Sequence, residues 1–227
     1  MNANSSLTFP AARRRRGRVA LAGAMAGLLL SAGLGGCRFE SKTEEAAACC
    51  KTAEPAAAFS DQSLYLLDST WTNDAGHAVR LSNFQGRVQV LTMFFANCSY
   101  ACPILVHDMQ RIEDALPAEI RSKVQFVLVS FDTERDTPST LKKYRELRQL
   151  PGESWSLLTG KPDDVLELAA LLGVNFKQEA SGQFAHSNII TILNGKGEIV
   201  HQQIGLNEDR QASVEAIRRE IAKPSLD

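Results

Sequence analysis

Two nearly continuous apolar runs, separated by one amphipathic segment, constrain the fold of this 227-residue chain more than any other feature. The runs occupy residues 88–95 and 124–131, and each is typical of a strand that is covered on both faces. Between them, apolar residues recur at intervals of three and four over residues 104–116, which predicts a helix. A strand, a helix and a second strand in this order predict a parallel pair in an α/β sheet.

The remaining segments add elements around this unit. Thr137 is expected to cap a helix that extends to residue 150, and Gly173 to end another that begins near residue 161. Short strands are predicted at residues 64–67, 71–72 and 155–158, a hairpin at residues 188–203, and a last helix at residues 208–221. The order predicts a thioredoxin-like α/β fold with an N-terminal strand extension and a C-terminal β-hairpin plus helix.

The first 36 residues have the composition of an export signal. Five arginines and no acidic residue precede an apolar stretch at residues 19–30. The segment Leu34-Gly35-Gly36-Cys37 then resembles the bacterial lipobox, in which the cysteine is acylated and becomes the new N-terminus. We therefore expect a lipoprotein signal peptide over residues 1–36, lipidation of Cys37, and a domain facing the periplasm or another extracytoplasmic space. A soluble exported protein and an uncleaved membrane anchor are the alternatives.

Residues 37–60 are predicted to be a flexible linker, and residues 61–227 the folded domain. Small and polar residues dominate the linker, which lacks the hydrophobic periodicity of a packed segment. Its adjacent Cys49 and Cys50 could capture a metal or form a mixed disulfide, although we interpret them as incidental thiols. Without residues 1–36 the chain carries 20 basic and 26 acidic residues, a balance that argues against a nucleic-acid partner.

A cysteine pair lies where the first buried strand meets its helix. Cys98 and Cys102 are four residues apart, a spacing that puts both sulfurs on one helical face. The helix N-terminus favours thiolate over thiol, and thiolate both binds soft metals and attacks disulfides. The spacing alone is therefore compatible with both metal binding and redox chemistry.

His186 is the best candidate for a third ligand. It lies in a small polar loop just before the predicted strand at residues 188–193, and in a thioredoxin-like fold this loop lies beside the N-terminus of the first helix. Two thiolates and an imidazole suit Cu(I) and adapt to Cu(II). His107 is expected to point away from the cysteines, and His77 and His201 carry no motif, so we interpret these three as structural or solvated.

Three segments together resemble the SCO/SenC family of thioredoxin-fold copper proteins, which are implicated in assembling the copper centre of cytochrome c oxidase. They are residues 94–103 (FFANCSYACP), 129–138 (VSFDTERDTP) and 184–187 (FAHS). The resemblance implies that Cys98, Cys102 and His186 bind copper. It also implies that the partner is the copper-bearing oxidase subunit or another periplasmic cuproprotein.

Two further details follow from the same resemblance. Asp132, Arg135 and Asp136 match the family's acidic segment, which implies a role in the surroundings of the site or in partner contact. Solvation and capping of the next helix is the alternative interpretation. Ser99 stands where the family commonly has a proline, so redox tuning and partner specificity are the properties that this departure affects.

Two functions remain in competition at this point. The first is a copper metallochaperone, a binding protein rather than an enzyme, which delivers copper to cytochrome c oxidase or prepares its cysteines. The second is a thiol–disulfide oxidoreductase, in which Cys98 and Cys102 cycle between dithiol and disulfide without a metal. The spacing favours the first, because oxidoreductases of this fold usually have two residues between their cysteines.

The lipobox generates a direct test. We expect Cys37→Ala to prevent both the acylation and the cleavage that exposes the new N-terminus, so that this variant keeps residues 1–36, while Cys49→Ala is processed as the wild type is. Mass spectrometry of the membrane fraction measures both variants and the wild type. A mature N-terminus other than a lipid-modified Cys37 would contradict the prediction.

Overall fold

The computed structural model describes residues 59–223, in which nine strands and five α-helices follow one another. The strands are β1 (Trp71–Asn73), β2 (Ala78–Val79), β3 (Val88–Phe94), β4 (Val124–Ser130), β5 (Trp155–Thr159), β6 (Phe176–Gln178), β7 (Phe184–His186), β8 (Ile189–Leu193) and β9 (Ile199–Ile204). The helices are α1 (Ala101–Asp114), α2 (Ala118–Arg121), α3 (Pro138–Arg148), α4 (Pro162–Leu172) and α5 (Gln211–Ala222).

Seven of the strands form one mixed sheet in the order β2-β1-β5-β4-β3-β8-β9. The predicted parallel pairing is confirmed, since β4 pairs parallel with both β3 and β5. Every residue of β3 and of β4 is buried, as expected for strands covered on both faces. The predicted C-terminal hairpin is also confirmed, because β8 pairs antiparallel with β9.

The parallel pair determines where the two loops that follow it lie. Phe94, the last residue of β3, is in register with Ser130, the last residue of β4. The segment between β3 and α1 (residues 95–100, the cysteine loop) and the segment between β4 and α3 (residues 131–137, the anchor loop) therefore leave the sheet side by side. This edge, at the carboxyl ends of the parallel strands, is where α/β folds usually bind ligands.

The structure corrects several predicted elements. Residues 64–67 do not form a strand, because Leu64–Leu66 is a 3₁₀ helix whose first turn is capped by the Ser63 side chain accepting from the Tyr65 amide. The last helix begins at Gln211 rather than at residue 208. The short hairpin of β6 and β7 was not predicted, and it places His186 at the end of a strand rather than in a loop.

Two predicted helix ends are confirmed. The Thr137 side chain accepts from the Thr140 amide at the start of α3, and Gly173 ends α4 with a φ of +68°. Among the described residues, no helix combines the length and the apolar character needed to span a bilayer. The predicted signal peptide, together with Cys37, Cys49 and Cys50, lies outside the described residues.

β1, which belongs to the predicted N-terminal extension, packs tightly beside β5, the strand with which it pairs. Trp71 of β1 is fully buried, and its indole N–H donates to the Ser69 hydroxyl at 3.0 Å. Gly160, just after β5, lies so close to this ring that a Cβ atom there would be 2.6 Å from Trp71 Cε3. The glycine is therefore required by packing rather than by a turn.

We expect Gly160→Ala to lower the free energy of unfolding by about 1–3 kcal/mol, because the added methyl group forces the buried indole to move. Gly152→Ala is the matched control, since a Cβ atom there meets nothing within 4 Å. Urea unfolding followed by tryptophan fluorescence measures both. Equal stability of the two variants would show that the Trp71 ring yields without cost.

Candidate metal centre

The two cysteines come from adjacent parts of one segment. Cys98 lies in the cysteine loop, and Cys102 is the second residue of α1. The prediction of a shared helical face is therefore wrong for Cys98, which precedes the helix. Its sulfur nevertheless turns back over the helix end, because Cys98 Sγ accepts from the Cys102 backbone N–H at 3.4 Å. The two thiols are thus brought together by capping rather than by helical periodicity.

His186 completes a group of three potential ligands. Its Nε2 atom lies 3.5 Å from Cys102 Sγ, and the ligand atoms of Cys98, Cys102 and His186 all lie within 4.8 Å of one another. The structure therefore brings together the three residues that the sequence analysis selected. In the described part of the chain they are the one such group of three or more that could hold a metal ion.

A hydrogen bond fixes the tautomer of His186. Its Nδ1 atom lies 3.0 Å from the Ser187 carbonyl oxygen, which can only accept, so Nδ1 carries the proton. In the neutral ring, Nε2 then presents a lone pair to the cysteines. A backbone acceptor on the second nitrogen is the arrangement that metal-binding histidines usually have. The donor set and the protonation of the ring both fit a metal ion.

The two thiols share their protons unequally. The Cys102 side chain donates to Cys98 Sγ, and together with backbone N–H groups this lowers the pKa of Cys98 to about 4 against the opposing effect of burial. The hydrogen bond to Cys98 raises the pKa of Cys102, and burial raises it further. At neutral pH the pair is one thiolate and one thiol. Cys98 and Cys102 are not joined by a disulfide in this structure.

Two phenylalanine rings lie against the imidazole, and two more pack on those rings. The Phe131 and Phe95 rings lie 5.2 and 6.2 Å from the His186 ring, the second in an edge-on orientation. Phe176 stacks on Phe131 at 5.0 Å, and Phe184 packs against Phe95 at 5.2 Å. This apolar wall limits the access of water and lowers the local dielectric, which strengthens electrostatic interactions at the sulfurs.

The anchor loop holds the cysteine loop through a buried carboxylate. Asp136 is 1% exposed, and its Oδ2 atom accepts from the Ala96 amide at 2.8 Å and from the Ser130 hydroxyl at 2.5 Å. Asp132 is also buried and pairs with Arg135. These two acids therefore contribute to the surroundings of the site, and the capping of α3 is left to Thr137.

The other histidines lie away from the ligand group. His107 is exposed on α1, His77 is exposed in the turn between β1 and β2, and His201 lies half-buried on β9.

Ser99 is exposed next to Cys98. The residue that replaces the proline common in the family that the chain resembles therefore lies on the rim of the site. Asp136 and the four phenylalanines are the contributors whose contacts the sequence did not reveal. The one sequence feature that could have identified them is their position at the end of a strand or in the loop next to one.

Comparison with known proteins gives a consistent result. The sequence model of the SCO1/SenC family matches residues 61–222. A SCO1 protein homolog of Bacillus subtilis is 27% identical over 140 residues, which are 60% of this chain and 72% of that protein.

Two solved structures share the fold. Arabidopsis thaliana ScoI with copper bound has a TM-score of 0.58 at 22% identity, over 66% of this chain and 96% of that one. BsSco, described as a member of the Sco family of cytochrome c oxidase assembly proteins with a disulfide switch, has a TM-score of 0.60 at 24% identity, over 68% and 92%. These similarities confirm the predicted thioredoxin-like α/β fold.

The unequal thiols predict the pH dependence of alkylation. Because a lowered pKa keeps a thiol ionised to lower pH, we expect iodoacetamide to modify Cys98 at a constant rate between about pH 5 and about pH 8. Buried Cys102 remains unmodified in the folded chain. In the urea-unfolded chain, the Cys98 rate should instead fall about tenfold for each pH unit below the ordinary thiol pKa.

Peptide mapping by mass spectrometry measures the rate at each cysteine. A folded chain in which the Cys98 rate tracks that of the unfolded chain would show that its thiol is not held ionised.

Proposed function

The chain belongs to the SCO1/SenC family, and from this premise we propose that it is a copper metallochaperone tethered to a membrane outside the cytoplasm. In this proposal copper is a cargo, and the acceptor is the copper-bearing subunit of cytochrome c oxidase or another extracytoplasmic cuproprotein. The observation that carries the proposal is the convergence of Cys98, Cys102 and His186 within 4.8 Å.

The donor set argues for copper over harder cations. Two sulfurs select soft ions, and the imidazole adds affinity for Cu(II), so one site can accept both oxidation states of the metal. Cys98 is already ionised, and the Nε2 lone pair of His186 already faces the cysteines. Of the two cysteines, Cys102 is the one that must lose a proton when copper binds. The family resemblance of the three segments points to the same metal.

The exposure of the site supports transfer to a partner. Cys102 is fully buried, whereas Cys98 is only partly covered and Tyr100 next to it is 71% exposed. A cysteine or methionine of an acceptor can therefore reach the copper from the side of the cysteine loop. Three protein ligands leave room for such an incoming ligand, and exchange can proceed without unfolding of the site. The exposed Ser99 and Tyr100 belong to the surface that such an acceptor meets.

The tether is supported by sequence alone. The basic cluster, the apolar stretch and the lipobox that ends at Cys37 together favour export and lipid anchoring. A linker of about two dozen residues would let the domain reach partners that project from the same membrane. The proposed location is the bacterial cell envelope.

A thiol–disulfide oxidoreductase is the second candidate function, and the low pKa of Cys98 favours it. In such a reaction, the Cys98 thiolate attacks an acceptor disulfide, and Cys102 then displaces the acceptor thiol, so that two electrons pass to the acceptor. A combined function, in which the protein reduces the acceptor's cysteines before it delivers copper, uses the same residues. The two functions differ in their need for His186, which a dithiol exchange does not use.

Copper binding by histidine variants separates these functions. We expect the anaerobically reduced wild type to bind equimolar Cu(II) stoichiometrically and His107→Ala to do the same. His186→Ala lacks the imidazole, so it should lose stoichiometric binding and keep only the weaker, measurable affinity of the two sulfurs. Disulfide exchange should be intact in both variants. Metal analysis and visible absorption measure binding, and a parallel variant with Cys49 and Cys50 changed to serine excludes a contribution from the linker.

A wild-type chain that binds no copper while Cys98 and Cys102 stay reduced would favour the oxidoreductase over the metallochaperone. Equal copper binding by His186→Ala and the wild type would contradict the assignment of this histidine as a ligand.

A further inference from the structure

Arg135 connects the anchor loop to the hairpin that carries His186. Its Nε atom donates to Asp132 Oδ2 at 2.5 Å, and its Nη2 atom donates to the Gly182 carbonyl oxygen, also at 2.5 Å. Asp132 is 3% exposed and therefore a fixed point, whereas Gly182 lies in the turn between β6 and β7. The guanidinium thus bridges a rigid part of the domain and a peripheral one.

The hairpin of β6 and β7 (residues 176–186, the histidine hairpin) is only weakly stabilised by its own backbone pairing. It forms a separate two-stranded sheet with three register pairs, and it does not join the seven-stranded sheet. Isolated two-stranded hairpins are marginally stable in water. The position of the histidine hairpin therefore depends on side-chain contacts with the rest of the domain. These contacts are the phenylalanine cluster, Arg135, and a long hydrogen bond of 3.5 Å from Gln183 Nε2 to the Asn97 carbonyl oxygen.

Arg135 contacts the hairpin closely, on the side of the hairpin that carries His186. A Cβ atom at Gly182, where φ is +77°, would lie 3.2 Å from Arg135 Nη1. The guanidinium carbon also lies 5.8 Å from the centroid of the Phe184 ring. Phe184 and His186 are two residues apart in β7, so their side chains share one face of the strand. A shift of the guanidinium is therefore transmitted to the side of the hairpin that bears the imidazole.

We propose that Arg135 is a positioning residue that holds His186 against Cys98 and Cys102 and thereby sets the preference of the site for Cu(II) over Cu(I). This inference rests on the proposed copper function. The cysteines are held independently, by β3, α1 and Asp136, so the loss of Arg135 leaves them in place. Two thiolates suffice for Cu(I), whereas Cu(II) gains from the imidazole. Release of the hairpin consequently weakens Cu(II) binding more than Cu(I) binding.

A double-mutant cycle on the full-length chain tests the inference. For Arg135→Ala we expect Cu(II) affinity to fall by about 10–100-fold, as is typical for the loss of a residue that orients a metal ligand, and Cu(I) affinity to change by less than about threefold. The double variant Arg135→Ala/His186→Ala should bind Cu(II) no more weakly than His186→Ala alone, because Arg135 acts through the imidazole.

Arg145→Ala is the matched control. Arg145 also pairs with an aspartate, Asp74, and donates to backbone carbonyls, among them those of Pro151 and Trp155, but none of these partners carries a ligand. This variant should bind both copper ions as the wild type does. Equal losses of Cu(I) and Cu(II) affinity in Arg135→Ala, or additive effects in the double variant, would overturn the inference.

A measurement on the metal-free chain separates this inference from the proposed function. In Arg135→Ala we expect hydrogen exchange in the peptide of residues 176–187 to become at least about tenfold faster, with exchange in β3 and β4 unchanged. The Glu179 and Gly182 amides, which bond within the hairpin, report directly on its opening. If the wild type bound no copper, the proposed function would fail, and exchange alone would decide the role of Arg135. Exchange within about twofold of the wild type would then exclude it.

Discussion

Seven register pairs join β3 to β4, from Val88 opposite Val124 to Phe94 opposite Ser130. Both strands are buried along their whole length, so a slip of one residue would turn every side chain of a strand to the wrong face. This pairing ends two strands at the same level and sends the cysteine loop and the anchor loop out together. Asp136 can reach the Ala96 amide only because of that alignment. The positions of Cys98 and of Arg135 follow from the same register.

Unequal protonation is the second property on which the chemistry depends. A symmetrical pair of thiols at neutral pH would have to lose two protons to bind a metal, or one to begin a disulfide exchange. Here Cys102, buried and hydrogen-bonded to Cys98, keeps its proton, and Cys98 is ionised. The same feature therefore serves the proposed metallochaperone and the competing oxidoreductase. His186 is what distinguishes them, since its Nδ1 bond to Ser187 directs Nε2 at the sulfurs.

The sequence predicted those parts of the molecule that repeat a local pattern. The buried strands, α1, the Thr137 cap and the Gly173 helix end each depend on residues within a few positions of one another, and all were found. Residues 64–67 failed because a strand needs a partner, and the Ser63 cap offered a local alternative. The histidine hairpin, the phenylalanine wall and the contacts of Asp136 arise from residues that are distant in the chain. Pattern alone carries no information about such contacts. The cysteine spacing, the place of His186 just before a core strand and the resemblance of three segments nevertheless selected Cys98, Cys102 and His186.

The two halves of the ligand group are anchored with different strength, and this difference suits a cargo site. The cysteines belong to the core, through β3, α1 and the buried Asp136. The histidine belongs to a small separate sheet that contacts the rest of the domain through aromatic packing, the Arg135 guanidinium and a long hydrogen bond from Gln183 to Asn97. A site built wholly on rigid elements would hold its ion too firmly for exchange, whereas one built wholly on mobile elements would not select it. In the proposed metallochaperone, with the sulfurs fixed and the imidazole on a small separate hairpin, the ion could exchange the imidazole for a ligand of the acceptor while the two sulfurs still hold it.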